Sequence, residues 1–183
     1  MSHGFPSLGQ VAHALRISYI VLDLMKWRSF LERWSLSGLE LRPELFEAEF
    51  SPGKRDRAAA WELYIELLTR ITTQALPAHE GDEKSALDSV HNLFPLTREI
   101  LKRQGPGSSE FAKLAIPVLN QIVRPYTVKW HRLALAGAFS HADQCREFRI
   151  QLAELQTSLT HFARALADMA RVEDLTEREK PAR

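Results

Sequence analysis

Apolar side chains recur at helical spacing along most of the chain, and proline and glycine interrupt that pattern at well-separated places. Pro43, Ser51-Pro52-Gly53, Leu76-Pro77, Gly81-Asp82, Gly105-Pro106-Gly107 and Gly137 fall between the periodic stretches. Five long helices are predicted: from about Leu8 to Leu36, Arg55 to Leu76, Asp82 to Gln104, from after Ser108 to about Ala138, and from Ser140 to about Asp174. Leu41, Leu45, Phe46 and Phe50 lie in a loop after the first helix. Pro77 stops the second helix, Pro95 kinks the third, and Pro117 with Pro125 bends or breaks the fourth, because proline lacks a donor and crowds the preceding turn. Asp82 is a candidate N-cap, and Ser85 and Ser140 each open a capping-box spacing. No strand-like alternation competes with these helices.

The fifth helix has the most regular pattern. Phe148, Leu152, Leu155, Leu159, Phe162, Leu166 and Met169 alternate spacings of four and three, which draws a single apolar seam. With short connections between the later helices, the expected fold is all-α, an up-and-down antiparallel helical bundle forming one domain over residues 1–183. Residues 1–53 would pack on a four-helix core at 54–174, and 175–183 would be a frayed tail.

Composition narrows the classes of function. Lys and Arg number 24 against 23 Asp and Glu, a net charge of +1, so nucleic acid could be attracted only by a local patch. Cys145 is the sole cysteine, which excludes an intramolecular disulfide and fits a reducing compartment; its place in the first turn of the fifth helix could lower its thiol pKa. With no secretory signal at the N-terminus, the expected location is cytoplasmic. The most apolar run, Ile17 to Met25, is interrupted by Asp23 and falls short of the roughly 20 residues of a membrane span. No paired Glu-x-x-His motif, nucleophile elbow or phosphate loop is present, so neither a metal nor a cofactor is expected.

The fourth helix carries the most suggestive chemistry. At 100° per residue Asn120, Arg124, Thr127 and His131 fall on one narrow arc beside an apolar stripe that includes Tyr126 and Trp130. A guanidinium and an imidazole at the margin of a core could clamp a phosphate and move a proton. Arg124, six residues, then His131 resembles the R-x4-6-H motif of HEPN ribonucleases, although Pro125 stands where that family prefers a polar residue. The resemblance covers these two residues and implies a helical, usually dimeric, metal-independent ribonuclease or nucleotide-transfer enzyme with Arg124 and His131 catalytic. The purely structural alternative pairs Arg124 with a carboxylate such as Glu66 or Asp88, while Asn120 and His131 satisfy backbone groups freed by the prolines.

Two further groups stand out. Glu62, Glu66 and Arg70 follow one another at i, i+4 in the second helix, ahead of the polar run Thr69, Thr72, Thr73 and Gln74; this end would join the site only if it faced Arg124 and His131. In the first helix Trp27, Phe30 and Trp34, flanked by Lys26, Arg28 and Arg33, are residue types that anchor interfaces. The leading expectation is a non-catalytic interaction or regulatory module, self-associating or docking on a larger bacterial-type protein. RNA is a partner only under the ribonuclease reading.

Overall fold

A computed structural model describes residues 25–77 and 81–176. The chain is mostly helical, with packing contacts between helices and one minor two-stranded sheet. Strand β1 (Met25–Lys26) leads directly into α1 (Trp27–Arg33). Then come α2 (Pro43–Glu47), β2 (Glu49–Phe50) and α3 (Lys54–Leu68). From Glu83 to Leu135 the backbone is helical for 53 residues, bent at several points. Its parts are α4 (Glu83–His91), α5 (Leu93–Gln104), a 3-10 turn (Gly105–Ser108), α6 (Ser109–Pro117), a π-helical stretch (Val118–Val123) and α7 (Arg124–Leu135). After a 3-10 turn at Ala138–Ser140, α8 (Ala142–Ala170) closes the fold.

The N-terminal expectation needs correction. Residues 1–24, the larger part of the predicted first helix, lie outside the described residues, and its remainder does not continue a helix through Met25 and Lys26. Those two residues pair antiparallel with Phe50 and Glu49, and Trp27 N–H donates to the Ala48 carbonyl. An aromatic knot fixes the ladder: Phe30 stacks on Phe50 at 3.8 Å, and Trp27 meets Phe50 edge-on at 5.0 Å. Strands of two residues are too short to show alternation in a sequence. The supposed loop instead supplies β2 and the short α2, so the picture of five long helices gives way to two short ones and three longer segments.

The second helix ends at Leu68, well before Pro77. Thr72 and Thr73 hydroxyls both donate to the Leu67 carbonyl, at 2.9 and 2.7 Å, and Gln74 Nε2 donates to that of Leu68. Short polar side chains thus capture the carbonyls that another helical turn would have used. Asp82 does cap α4, accepting from Lys84 and Ser85 N–H. The two predicted capping boxes do not form: Ser85 donates its hydroxyl to Asp82 instead, and α8 begins after His141 with no side-chain cap. The break near Pro95 falls at Asn92, between α4 and α5.

Side-chain contacts set the running directions. Arg55 Nη1 donates to the Gln104 carbonyl, while Leu96 and Glu99 share a crevice with Ile65 and Glu66, so α5 runs back along α3. Gln156 reaches the carbonyls of Ile71 and Gln74, and Asp168 shares a crevice with Arg57, so α8 also opposes α3. The reversal between α5 and α6 is made by Gly105, whose φ of 68° lies in the left-handed region that side chains avoid. The whole α8 seam is buried, from Phe148 through Met169. Beyond α8, the predicted fraying does not begin at once: Leu175 N–H donates to the Tyr64 hydroxyl at 2.6 Å, and Thr176 Oγ1 accepts from Arg164. Residues 177–183 of the predicted tail lie outside the described residues. No helix among the described residues is long and apolar enough to cross a membrane.

Candidate functional site

The π-helical stretch organises the polar row. Proline at 125 has no N–H to return to the carbonyl four residues earlier, and the Arg124 N–H reaches the Leu119 carbonyl five residues back, which widens the turn. Gln121, on the outer side, clips the π segment to the loop after α1 by exchanging two 2.7 Å hydrogen bonds with the backbone of Glu40. On the other side Asn120 Oδ1 accepts from Arg124 Nε and Nη2, at 3.1 and 2.8 Å. The Arg124 guanidinium lies over the Phe94 ring, 4.9 Å from its centroid.

His131 meets a residue that sequence reasoning did not select. Its ring stands 4.9 Å from that of His91 in an edge contact, and His91 in turn lies 5.8 Å from Phe94. Arg124, Phe94, His91 and His131 thereby form a continuous chain of contacts across the junction of α4, α5 and α7. Burial is the first cause holding the His131 pKa below the ordinary imidazole value, and His91 and Lys84 push the same way against Asp88. The protein therefore carries a neutral imidazole there at neutral pH.

The carboxylate partners weighed for Arg124 are engaged elsewhere. Glu66 pairs with Arg70 at 2.7 Å, and Asp88 pairs with Lys84 at 3.1 Å. No ion pair to Arg124 is formed among the described residues. Glu66 and Arg70 thus belong to a local α3 pair, and Thr72, Thr73 and Gln74 are occupied in ending that helix. His131 titration gives a direct check. Because its folded pKa is depressed, the unfolded chain binds the extra proton first, so stability is full above about pH 6.5 and declines as pH falls through the folded pKa. Melting between pH 7.5 and 5 should fall less steeply in His131→Gln than in the parent chain.

The remaining predicted binding residues face inward. Thr127 is buried, its hydroxyl donating to the Arg124 carbonyl at 3.1 Å. Trp130 is fully buried against Phe148 and Phe139, its indole N–H donating to Gln151. Tyr126 is nearly buried, its hydroxyl has no partner among the described residues, and burial pushes its pKa far upward. Trp27 and Phe30 are wholly buried, and Trp27 Nε1 donates to Glu110. Half-buried Trp34 donates to Asp168. The surface Trp27 and Phe30 would have offered a partner is consumed by the chain's own core. Cys145 donates its thiol to the Phe139 carbonyl, and burial raises its pKa, opposite to the activation that a helix N-terminus could produce.

Beside the polar row, α5 and α6 leave an open groove of about 400 Å³. Phe94, Leu101, Ile116 and Leu119 supply its apolar walls, and Thr97, Arg98, Lys102 and Asn120 its polar ones. Sequence reasoning missed the α5 contribution, although 94, 97, 98, 101 and 102 recur at the i, i+3, i+4, i+7, i+8 spacing of one helix face. Among the described residues no group of three or more metal-ligating side chains converges. The chain matches no protein-family model, no curated protein and no solved structure.

Proposed function

We propose that the chain is a non-catalytic interaction module built as an up-and-down helical bundle, and that it self-associates through the outer face of α3. The observation that supports this is the exposure of Trp61 and Ile65, which are 42% and 39% accessible and one helical turn apart. Trp is the residue type most enriched at interface hot spots, and a two-fold axis would bring the same stripe against its own copy. Charge does not oppose such packing: the adjacent Glu62 and Glu66 are already matched by Arg103 and Arg70. The interaction surface thus shifts from the buried Trp27 and Phe30 to α3. Light scattering over a concentration series should give a dimer, and Trp61→Glu should return it to monomer. At a dilution where the parent is monomeric and Trp61 is exposed, the melting temperatures of parent and variant should differ by only about 1–2 °C. A chain that stays monomeric at every concentration would remove the reading.

A second reading rests on a different observation. A neutral His131 beside His91, with Arg124 held by Asn120 and free of carboxylates among the described residues, supplies a base, an acid and a phosphate clamp on one face. In a ribonuclease of this kind His131 would take the 2′-hydroxyl proton, His91 would protonate the leaving 5′-oxygen, and Arg124 would hold the phosphate. RNA cleavage in EDTA should then be lost in Arg124→Ala, His131→Ala and His91→Ala, each folded by circular dichroism. Absence of cleavage by the parent chain excludes this chemistry.

A further inference from the structure

We infer that the groove between α5 and the α6–π arm is a binding site for a single-chain alkyl carboxylate. Half of its lining is apolar, and Ile116 is a large aliphatic side chain left 45% exposed at its lip. A volume of about 400 Å³ is in the range that takes small molecules. Thr97, on the same wall, is 1% exposed, and its hydroxyl has no hydrogen-bond partner among the described residues.

The charge of the occupant follows from the rim. Arg98 and Lys102, one turn apart on α5, are exposed and form no ion pair among the described residues, and no carboxylate lines the groove. Glu99, which lies between them in sequence, faces the opposite crevice with Glu62 and Arg103. At the Phe94 end, Asn120 holds Arg124 in place over the ring. Cations on an apolar trough with no internal counter-charge complement an amphiphilic anion. A carboxylate fits better than a phosphate: it carries a single charge and so loses less hydration on entering a trough lined by four apolar side chains. The alkyl chain lies along Phe94, Leu101, Ile116 and Leu119 while the head meets the rim cations.

Calorimetric titration of the full chain with dodecanoate, kept below its micelle concentration, tests the site. Saturable one-site binding is expected, with dodecanol and hexanoate each about tenfold weaker or more. The surface double variant Arg98→Gln/Lys102→Gln should keep the parent melting curve and bind at least about fivefold more weakly, and Ile116→Glu should abolish binding. Lack of saturation, or equal affinity for dodecanol, overturns the proposal. Unchanged binding in the double variant overturns the location, and dodecyl phosphate binding about tenfold more tightly overturns the carboxylate assignment. None of these outcomes depends on whether α3 self-associates.

Discussion

Phe148→Ala is expected to lower stability by about 3–5 kcal/mol, read as a drop of roughly 10 °C or more in melting temperature. Phe148 is completely buried near the start of the α8 seam. Its ring meets Trp130 and Phe139 edge-on, each at 5.1 Å, and lies 5.7 Å from Tyr126. Truncation removes the transfer free energy of the ring and leaves a cavity, and it also loses the quadrupole attraction of three neighbours. Phe148→Leu refills most of the volume and should cost about 1–2 kcal/mol. Urea titration separates the two variants: the midpoint should move while the slope stays constant, because the same surface is exposed on unfolding. A loss below about 1 kcal/mol for the alanine variant would contradict the packing of α7 on α8 described above.

Asp56→Ala should rank next, at about 2–4 kcal/mol. Asp56 is a buried carboxylate in the first turn of α3. One oxygen accepts the Gly53 N–H at 2.8 Å, and the other accepts the Phe111 N–H, 2.9 Å away at the start of α6. It therefore closes its own helix end and ties α3 to α6 with the same side chain. Alanine leaves two N–H groups without an acceptor, one of them buried. Asp56→Asn keeps an acceptor for one donor and presents an amide to the other, so about half the loss is expected. Thermal melts of the parent and both variants should order as parent, asparagine, alanine.

How much was legible in the chain depended on whether a signal lay within one element. The α8 seam could be read because its residues repeat over many turns, and all are buried. Proline and glycine correctly marked the reversal at Gly105 and the distortion between Pro117 and Pro125. Where α3 ends was not legible, because Leu67 and Leu68 continue the apolar period and the hydroxyls that terminate it act through backbone geometry. The β1–β2 ladder was invisible because two residues cannot display a period of two. The contact of Asn120 with Arg124 was legible because they lie one turn apart on a single helix. His91 and Phe94, which complete the contacts, belong to other helices, and no spacing rule links them to position 131. Trp27 and Phe30 were misplaced because an aromatic stripe looks the same in sequence whether it meets a partner or its own core.

The π-helical turn holds one residue more than an α-helical turn would need, and that surplus confers slack in length. Deleting a single position between Val118 and Val123 would let the backbone relax to ordinary pitch while the inward stripes on either side, Phe111 to Ala115 and Tyr126 to Trp130, kept their bearings. Elsewhere in the helices a one-residue deletion swings every later side chain by about 100°. Gene shortening should accordingly be survivable at this spot and ruinous at most others, and a shortened form would lose the widened turn that sets Leu119 and Asn120 into the trough.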